Sequence, residues 1–158
     1  MCRLLLDSSC IIAFVEEIKR PDLLRKLIAK GCKLMITNYV KSELERGNTY
    51  RKVVKNSIDM EIVDIAESEV LNFINKVARS IGKGEASVIL YSLKEKNEVI
   101  TAILDDRRAR KIAERYNINY HGTLWLINTL MPRMNIIAKE ESDILIKVLR
   151  ESGFYAPG

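Results

Sequence analysis

Short apolar runs alternate with longer amphipathic runs along the whole chain. The short runs, rich in Leu, Ile and Val and bounded by turn residues, predict five strands: Cys2–Leu6, Lys33–Ile36, Met60–Ile65, Glu98–Leu104 and Ile118–Tyr120. Apolar residues that recur every three or four positions predict helices: Ile11–Glu17, Pro21–Ala29, Asn38–Arg46, Ser68–Ile81, Glu85–Lys96, Arg107–Tyr116, Leu124–Leu130 and Glu140–Ser152. This alternation predicts an α/β fold with a mainly parallel central sheet.

A carboxylate follows the first predicted strand directly. Asp7 ends the apolar run in "LLLDSS", where the chain is expected to turn into a helix. In open α/β sheets, active sites lie beyond the carboxyl ends of the strands. Asp7 is therefore either a helix cap or the first member of a catalytic site, and the other acidic residues must decide between these interpretations.

Further acidic residues fall on the helices that follow other strands. Glu43 lies on a helix capped by Thr37 or Asn38, and its spacing from Val40 places it beside the buried face. Glu85 lies in the first turn of a later helix. There a glutamate can also simply complement the helix dipole, a contribution of about 0.3–1 kcal/mol.

Two adjacent aspartates, Asp105 and Asp106, end the fourth predicted strand. One of them can cap the next helix, but neighbouring like charges repel unless cations neutralise them. Carboxylates that converge on one edge of a sheet are hard oxygen ligands, which suit Mg²⁺ or Mn²⁺. The sequence thus predicts a metal-dependent site built from Asp7, Glu43, Glu85, Asp105 and Asp106.

The composition is that of an ordinary globular domain. The 158 residues are 47% apolar and 30% charged, and they contain no repeat and no apolar run long enough for a signal peptide or a transmembrane helix. Three cysteines without a CxxC pair argue against a disulfide framework or a cysteine zinc site and indicate a reducing, cytoplasmic location. The net charge of +5 favours polyanionic partners.

Other motifs do not support a different chemistry. "GKGEAS" follows a predicted helix rather than a strand, so it does not fit a dinucleotide-binding fingerprint, and no phosphate-binding GxxxxGK[ST] loop is present. His121 is the single histidine and is interpreted as a structural residue at a strand end. Trp125 is interpreted as a core residue rather than as a platform for stacking bases.

Several motifs together resemble one known family. "LLLDSS", "VKSEL", "GEASVI" and "LDDRRAR" followed by "HGTLWLI" resemble, in this order and spacing, the PIN-domain ribonucleases over Cys2 to about Ser152. The resemblance implies a three-layer α/β/α domain, covering residues 1–158 here, with parallel strand order 3-2-1-4-5. It also implies a Mg²⁺- or Mn²⁺-dependent endoribonuclease, often the toxin of a type II toxin–antitoxin pair of the VapC-like class.

The resemblance also implies roles for particular residues. The acidic quartet of the family falls on Asp7, Glu43, Glu85 and Asp105. The register within the aspartate pair stays open, so Asp106 is an alternative or a second residue for the last role. Ser9 matches a small hydroxyl residue that orients the first aspartate. The chain departs from many toxin members, which carry an aspartate where this chain has Glu85.

Two other function classes compete with a nuclease. A non-catalytic RNA- or partner-binding module on the same fold would be expected to lack part of the acidic quartet, and none of it is missing. A phosphatase of the α/β class needs a second aspartate at the position of Ser9, and a receiver domain needs its acidic pair after the first strand. The nuclease interpretation predicts hydrolysis by water held in line with phosphorus, leaving a 5′-phosphate and a 3′-hydroxyl.

Two patterns predict partners besides the metal. The basic residues near the acids, Arg107, Arg110 and Lys111 with Lys83, either hold RNA phosphates or form a solvated helix face, with Arg110 pairing with a carboxylate. The apolar segments "TLWLINTLM" and "DILIKVL" predict a two-fold homodimer, unless they only cover the sheet. An antitoxin protein is a further possible partner by resemblance, and no membrane partner is expected.

Overall fold

A parallel sheet lies at the centre of the protein. The computed structural model describes residues 2–77, 79–95 and 98–153. In these ranges the sheet has five strands: β1 Cys2–Leu6, β2 Cys32–Thr37, β3 Glu61–Val63, β4 Thr101–Ile103 and β5 Tyr120–His121. Their order is β3-β2-β1-β4-β5 and every neighbouring pair is parallel. The predicted α/β class and strand order are confirmed.

Helices flank the sheet and connect its strands. They are α1 Ser8–Ile12, α2 Pro21–Ala29, α3 Asn38–Arg46, α4 Thr49–Lys55, α5 Glu67–Lys76, α6 Lys83–Lys94, α7 Arg107–Arg115, α8 Thr123–Trp125, α9 Met131–Arg133 and α10 Lys139–Glu151. Within the described residues, none of these helices has both the length and the apolar character that crossing a membrane requires.

The central position of β1 explains its uninterrupted apolar sequence. Leu4, Leu5 and Leu6 are at most 2% exposed. Alternate residues of a strand point to opposite faces, so three successive buried leucines require that both faces of β1 be covered. The next residue, Asp7, is therefore delivered to the carboxyl edge of the sheet by the most buried strand of the fold.

Some element boundaries differ from the prediction. The predicted strands Glu98–Leu104 and Ile118–Tyr120 shrink to β4 and β5, because ladder pairing begins only at the residues that face β1 and β4. Helix α4 was not predicted. Val53 is its one buried large apolar side chain, and its other positions are mostly charged or polar, so its sequence carries no helical apolar stripe.

Two predicted helices contain a wider π-helical turn. The segment predicted as Ile11–Glu17 consists of α1 followed by the π turn Ala13–Glu17, and a second π turn, Leu126–Leu130, connects α8 with α9. The predicted helix Ser68–Ile81 corresponds to α5, and Ala78 lies outside the described residues. The helix predicted to begin at Glu85 begins at Lys83, and the predicted end at Lys96 also lies outside them.

A small buried network fixes the start of α3 against the start of α6. The Thr37 hydroxyl accepts a hydrogen bond from the Val40 amide at 3.1 Å and thus caps α3. The Ser87 hydroxyl lies 2.7 Å from the Thr37 hydroxyl oxygen and donates to the Gly84 carbonyl at 2.6 Å. Because Thr37 and Ser87 are fully buried, these bonds hold together the two helices that carry Glu43 and Glu85.

The expectation that the cysteines stay unpaired is wrong. Cys2 and Cys32 form a disulfide, and only Cys10 is free among the described cysteines. The reason is the strand register, which places Cys2 directly opposite Cys32 at the amino ends of β1 and β2. The sequence separation of 30 residues gives no sign of this, because the register follows from sheet pairing. The cysteine argument for a reducing compartment is therefore withdrawn.

We predict that reducing this disulfide lowers the free energy of unfolding. For a closed loop of this length, the entropy returned to the unfolded chain corresponds to roughly 3–4 kcal/mol. Thermal unfolding with and without a thiol reductant measures the effect. The double substitution Cys2→Ser with Cys32→Ser is the control, because it should unfold at the same temperature in both buffers. A wild-type protein whose unfolding ignores the reductant would contradict the prediction.

Candidate functional site

A polar cavity of about 520 Å³ opens at the carboxyl edge of the sheet. All five acidic residues predicted from the sequence line it, together with residues that were not predicted. The lining residues are Asp7, Ser8, Ser9, Glu17, Glu43, Glu85, Asp105, Asp106, Ser152 and Gly153. The end of β1, helices α3 and α6, and the turn after β4 thus each bring a carboxylate to one space.

Asp7 lies at the centre of this arrangement and is only 5% exposed. Its Oδ1 accepts a hydrogen bond from the Ser8 amide at 2.9 Å, so it does cap α1. Burial raises the pKa of Asp7 well above its usual value, and the negative charges of Glu85, Glu43 and Asp105 raise it further. The Ser8 amide opposes this increase in pKa only in part. A helix cap alone would not require burial beside three other acids.

Glu43 reaches the cavity from α3. The Ser8 hydroxyl donates to its Oε1 at 3.3 Å. Burial raises the pKa of Glu43, against the lowering effect of this hydrogen bond and of the Arg46 charge. The neighbouring Glu45 is exposed, as its position on the helix predicts.

Gly84 makes room for the Glu43 carboxylate. A Cβ atom at Gly84 would stand 2.1 Å from Oε1 and 2.8 Å from Cδ of Glu43, far inside van der Waals contact. The φ angle at Gly84 is not positive, so the backbone there does not itself require glycine. The requirement comes from the close approach of α3 and α6 at the site.

Glu85 combines a local role with a place in the cavity. Its Oε1 accepts a hydrogen bond from the Gly82 amide at 3.1 Å, which is the helix-start role considered from the sequence. Burial raises the pKa of Glu85, and the charges of Asp106 and Glu43 raise it further. The same carboxylate therefore stabilises the first turn of α6 and faces the other acids.

The adjacent aspartates have different surroundings. Asp105 is 5% exposed and both of its oxygens accept hydrogen bonds: Oδ1 from the Thr123 amide at 2.7 Å, and Oδ2 from the hydroxyls of Thr123 at 2.6 Å and Ser9 at 2.9 Å. Asp106 is exposed, and its Oδ2 caps α7 by accepting from the Ala109 amide at 3.0 Å. Three donors hold Asp105, whereas Asp106 faces Glu85.

The residue implied to orient Asp7 has another partner. The Ser9 hydroxyl donates to Asp105 rather than to Asp7. The turn of α1 points Ser9 toward the end of β4, and the Ser8 amide takes the position next to Asp7. Sequence reasoning also missed Thr123 and Glu17. Thr123 could have been found from the sequence, because it follows "HG" at the start of a predicted helix. Glu17 could not, because it reaches the cavity only through the π turn.

The basic residues beside the acids separate into two groups. Arg107, Lys111 and Lys83 are exposed. Arg110 is half-buried: its Nη1 donates to the Leu104 carbonyl at 3.4 Å, and its guanidinium lies 5.2 Å from the centre of the Tyr120 ring. Arg110 is thus turned toward β5 and does not share one phosphate-binding side with Arg107 and Lys111, as the sequence had suggested. In the part of the chain that the structure describes, Arg107, Lys111 and Lys83 form no ion pair with any of the five acids.

The donor atoms suit a hard divalent cation. Among described residues, no three Asp, Glu, His or Cys side chains are already arranged so that they could hold one ion. However, Oδ2 of Asp7 and Oε2 of Glu43 accept no hydrogen bond from any described residue, and both side chains face the cavity. Carboxylate oxygens without protein donors are the ligands that Mg²⁺ and Mn²⁺ prefer. The residues present therefore fit such an ion.

The structure is a parallel α/β fold whose carboxyl edge carries a cluster of acidic residues. A family model described as a PIN domain matches residues 3–157. The chain therefore belongs to the PIN-domain family, whose members are generally nucleases. No curated protein and no solved structure matches the chain.

We predict that Gly84→Ala disrupts the site without unfolding the protein. The new methyl group collides only with the flexible end of Glu43, so the fold is retained while the carboxylate is pushed away. A displacement of this kind should reduce metal-dependent turnover by about 100-fold. Gly47→Ala is the matched control, because its Cβ would meet no atom closer than 3.7 Å.

The measurements are the thermal unfolding temperature, Mn²⁺ affinity by calorimetry, and turnover of both variants. A Gly84→Ala protein with Mn²⁺ affinity and turnover equal to those of Gly47→Ala would show that the position of Glu43 does not matter.

Proposed function

We propose that the protein is a Mg²⁺- or Mn²⁺-dependent endoribonuclease that hydrolyses phosphodiester bonds of single-stranded or structured RNA. One observation carries the proposal: the buried Asp7 carboxylate has no cationic partner among the described residues and faces Glu43 and Glu85 across one cavity. Such an arrangement destabilises a protein unless a cation binds there. Family membership supports the hydrolase class.

Within this proposal, Asp7, Glu43, Glu85 and Asp106 hold the metal. When bound, Mg²⁺ or Mn²⁺ would activate water and stabilise charge on the leaving oxygen. We assign Asp105 a positioning role, because three protein donors already occupy its oxygens. Asp105 connects α1 through Ser9 with α8 through Thr123, and it thereby fixes the turn from which Asp106 projects.

The charge around the cavity supports a polyanionic substrate. Exposed Arg107, Lys111 and Lys83 lie on the helices that begin at the site, where they can contact RNA phosphates on either side of the scissile one. Each phosphate contact to a single strand contributes about 0.7 to the slope of log affinity against log salt. That slope measures how many phosphate contacts form. The contacts themselves do not depend on the RNA sequence.

The resemblance to PIN-domain toxins also suggests a cellular setting. We propose the cytoplasm as the compartment, where RNA is the substrate, and a toxin role with an antitoxin partner as one setting for the activity. Co-purification of a neighbouring gene product that blocks cleavage would support this setting. A non-catalytic RNA- or partner-binding module is the alternative, and loss of cleavage on removal of a single acid distinguishes it.

We predict that Asp7→Asn abolishes Mn²⁺-dependent RNA cleavage and makes the metal-free protein more stable. The amide keeps an oxygen for the Ser8 amide but removes a buried charge, which should raise the unfolding temperature by about 2–4 °C for each kcal/mol gained. Cleavage of a labelled single-stranded RNA and thermal unfolding in EDTA are the measurements. Exposed Asp59→Asn is the control and should change neither.

The stability difference also has a defined pH dependence. Because the pKa of Asp7 is raised in the folded state, folding takes up a proton, and wild-type stability falls as pH rises from the unfolded pKa through the folded one. The advantage of Asp7→Asn should therefore shrink as pH is lowered from neutral. A cleaving Asp7→Asn protein, purified free of other nucleases, would refute the role of Asp7.

We also propose a two-fold homodimer formed through α10. Leu145 and Leu149 of this helix are buried, and α10 packs against the π turns Leu126–Leu130 and Ala13–Glu17, but Ile144 is 62% and Val148 39% exposed one turn apart on the outer face. A two-fold axis would bury this self-complementary strip.

We predict a dimeric mass by light scattering at micromolar concentration. Ile144→Glu with Val148→Glu should convert the dimer to a monomer, because each dimer would then bury four carboxylates. Val54→Glu, at a residue that is also 62% exposed but lies on α4, should leave the mass unchanged. A monomeric wild-type protein would show that α10 serves only the packing of its own chain.

A further inference from the structure

Two aromatic side chains that the acidic site does not use are stacked on each other. The rings of His121 and Trp125 are parallel within 7°, and their centres are 3.9 Å apart. Both side chains are half-buried, and Trp125 packs against the hydrophobic core. The sequence-based interpretation of both residues as purely structural does not explain an ordered, partly exposed pair of flat rings.

This stack lies beside the acidic cavity. His121 ends β5 at the same carboxyl edge of the sheet where Asp105 follows β4, and Ile103 is its partner in the ladder. Thr123, between the two aromatic residues in sequence, donates both of its hydrogen bonds to Asp105. Thr123 therefore connects the stack to Asp105, a residue that lines the cavity.

Cationic groups surround the stack. Arg110 lies over the ring of Tyr120, the residue before His121. Arg133, at the end of α9, is exposed. Burial lowers the pKa of His121, and the charges of Arg110 and Arg133 lower it further, so both cations are near its ring. An imidazole stacked on an indole, with two guanidinium groups close enough to act on its pKa, presents flat π surface next to positive charge.

We infer that the His121–Trp125 pair is a stacking platform for a nucleobase of a single-stranded RNA whose backbone runs from this edge into the acidic cavity. This inference rests on the proposed function and extends it by naming a substrate contact outside the cavity. A base adds a third ring to the stack, and Arg133 meets the adjoining phosphate. Single-stranded nucleic acid is the occupant favoured by this chemistry, because stacking platforms flanked by cations bind unpaired bases without sequence preference.

The platform also predicts which part of an RNA binds. Bases inside a duplex are already stacked on their neighbours and cannot reach the protein rings. The platform should therefore select unpaired segments. The phosphate contacts of Arg107 and Lys111 do not distinguish unpaired from paired RNA. Selection of single strands then follows from the aromatic pair rather than from the acidic residues.

Trp125 is the only tryptophan in the chain, so its fluorescence reports on the platform directly. The experiment titrates the metal-free Asp7→Asn protein with a short oligoadenylate and with an abasic oligomer of equal length and charge. We expect the oligoadenylate to quench Trp125 emission and to bind about tenfold more tightly, as one added stack implies. The abasic oligomer should bind through phosphates and leave the emission nearly unchanged.

Substitutions separate stacking from charge. His121→Ala should remove most of the preference for the base-bearing oligomer, and His121→Phe should restore it because the flat ring returns. Arg133→Ala should weaken both oligomers equally. Arg51→Ala is the charge control, because Arg51 is exposed on α4, a helix that packs mainly against α3, and should change neither affinity.

Equal quenching by the two oligomers would overturn the inference, and so would a full base preference in His121→Ala. If the wild-type protein cleaves RNA with Mn²⁺ but shows no base preference, the inference fails and the nuclease proposal stands. If base-selective quenching occurs without any cleavage, the platform stands and the nuclease proposal fails. A protein that binds neither oligomer would overturn both.

Discussion

The Asp7 carboxylate lies at the end of the most buried strand, 5% exposed and next to three other acidic residues. Burial and like charge both oppose its ionisation. The charged carboxylate therefore lowers the stability of the fold, whereas a neutral residue at this position would not. The surrounding structure supplies what offsets this: a sheet covered on both faces and a leucine core behind the site. The acidic edge is thus possible only because the rest of the domain is packed well enough to tolerate it.

The remaining acids are positioned by contacts between elements that are distant in sequence. The Thr37–Ser87 contact ties α3 to α6, and Asp105 joins α1 to α8 through Ser9 and Thr123. These bonds fix the elements that carry the acids. Asp7 and Glu43 each keep one carboxylate oxygen that accepts no hydrogen bond from a described residue, and both side chains face the cavity.

The sequence was sufficient for the α/β class and for placing Asp7, Asp105 and Asp106 at strand ends, because both follow from local patterns, whereas the strand order was implied by the family resemblance. Apolar runs predict strands, and a carboxylate directly after a strand predicts its place at the carboxyl edge. What it could not predict depends on register and on side-chain direction. The Cys2–Cys32 bond requires the β1–β2 register, and the choice of Ser9 for Asp105 requires the orientation of the first turn of α1. Helix α4 has too little apolar periodicity to be recognised.

The contact between Gly84 and Glu43 has a consequence for how this sequence can evolve. A methyl group at Gly84 would collide with the end of the Glu43 side chain, so a larger residue at position 84 displaces the carboxylate at position 43. A shorter acid at position 43 would withdraw its carboxylate and open space for a methyl group at position 84. The two positions are therefore epistatic, and an alignment of relatives should show them varying as a pair, with alanine at 84 tolerated where aspartate stands at 43.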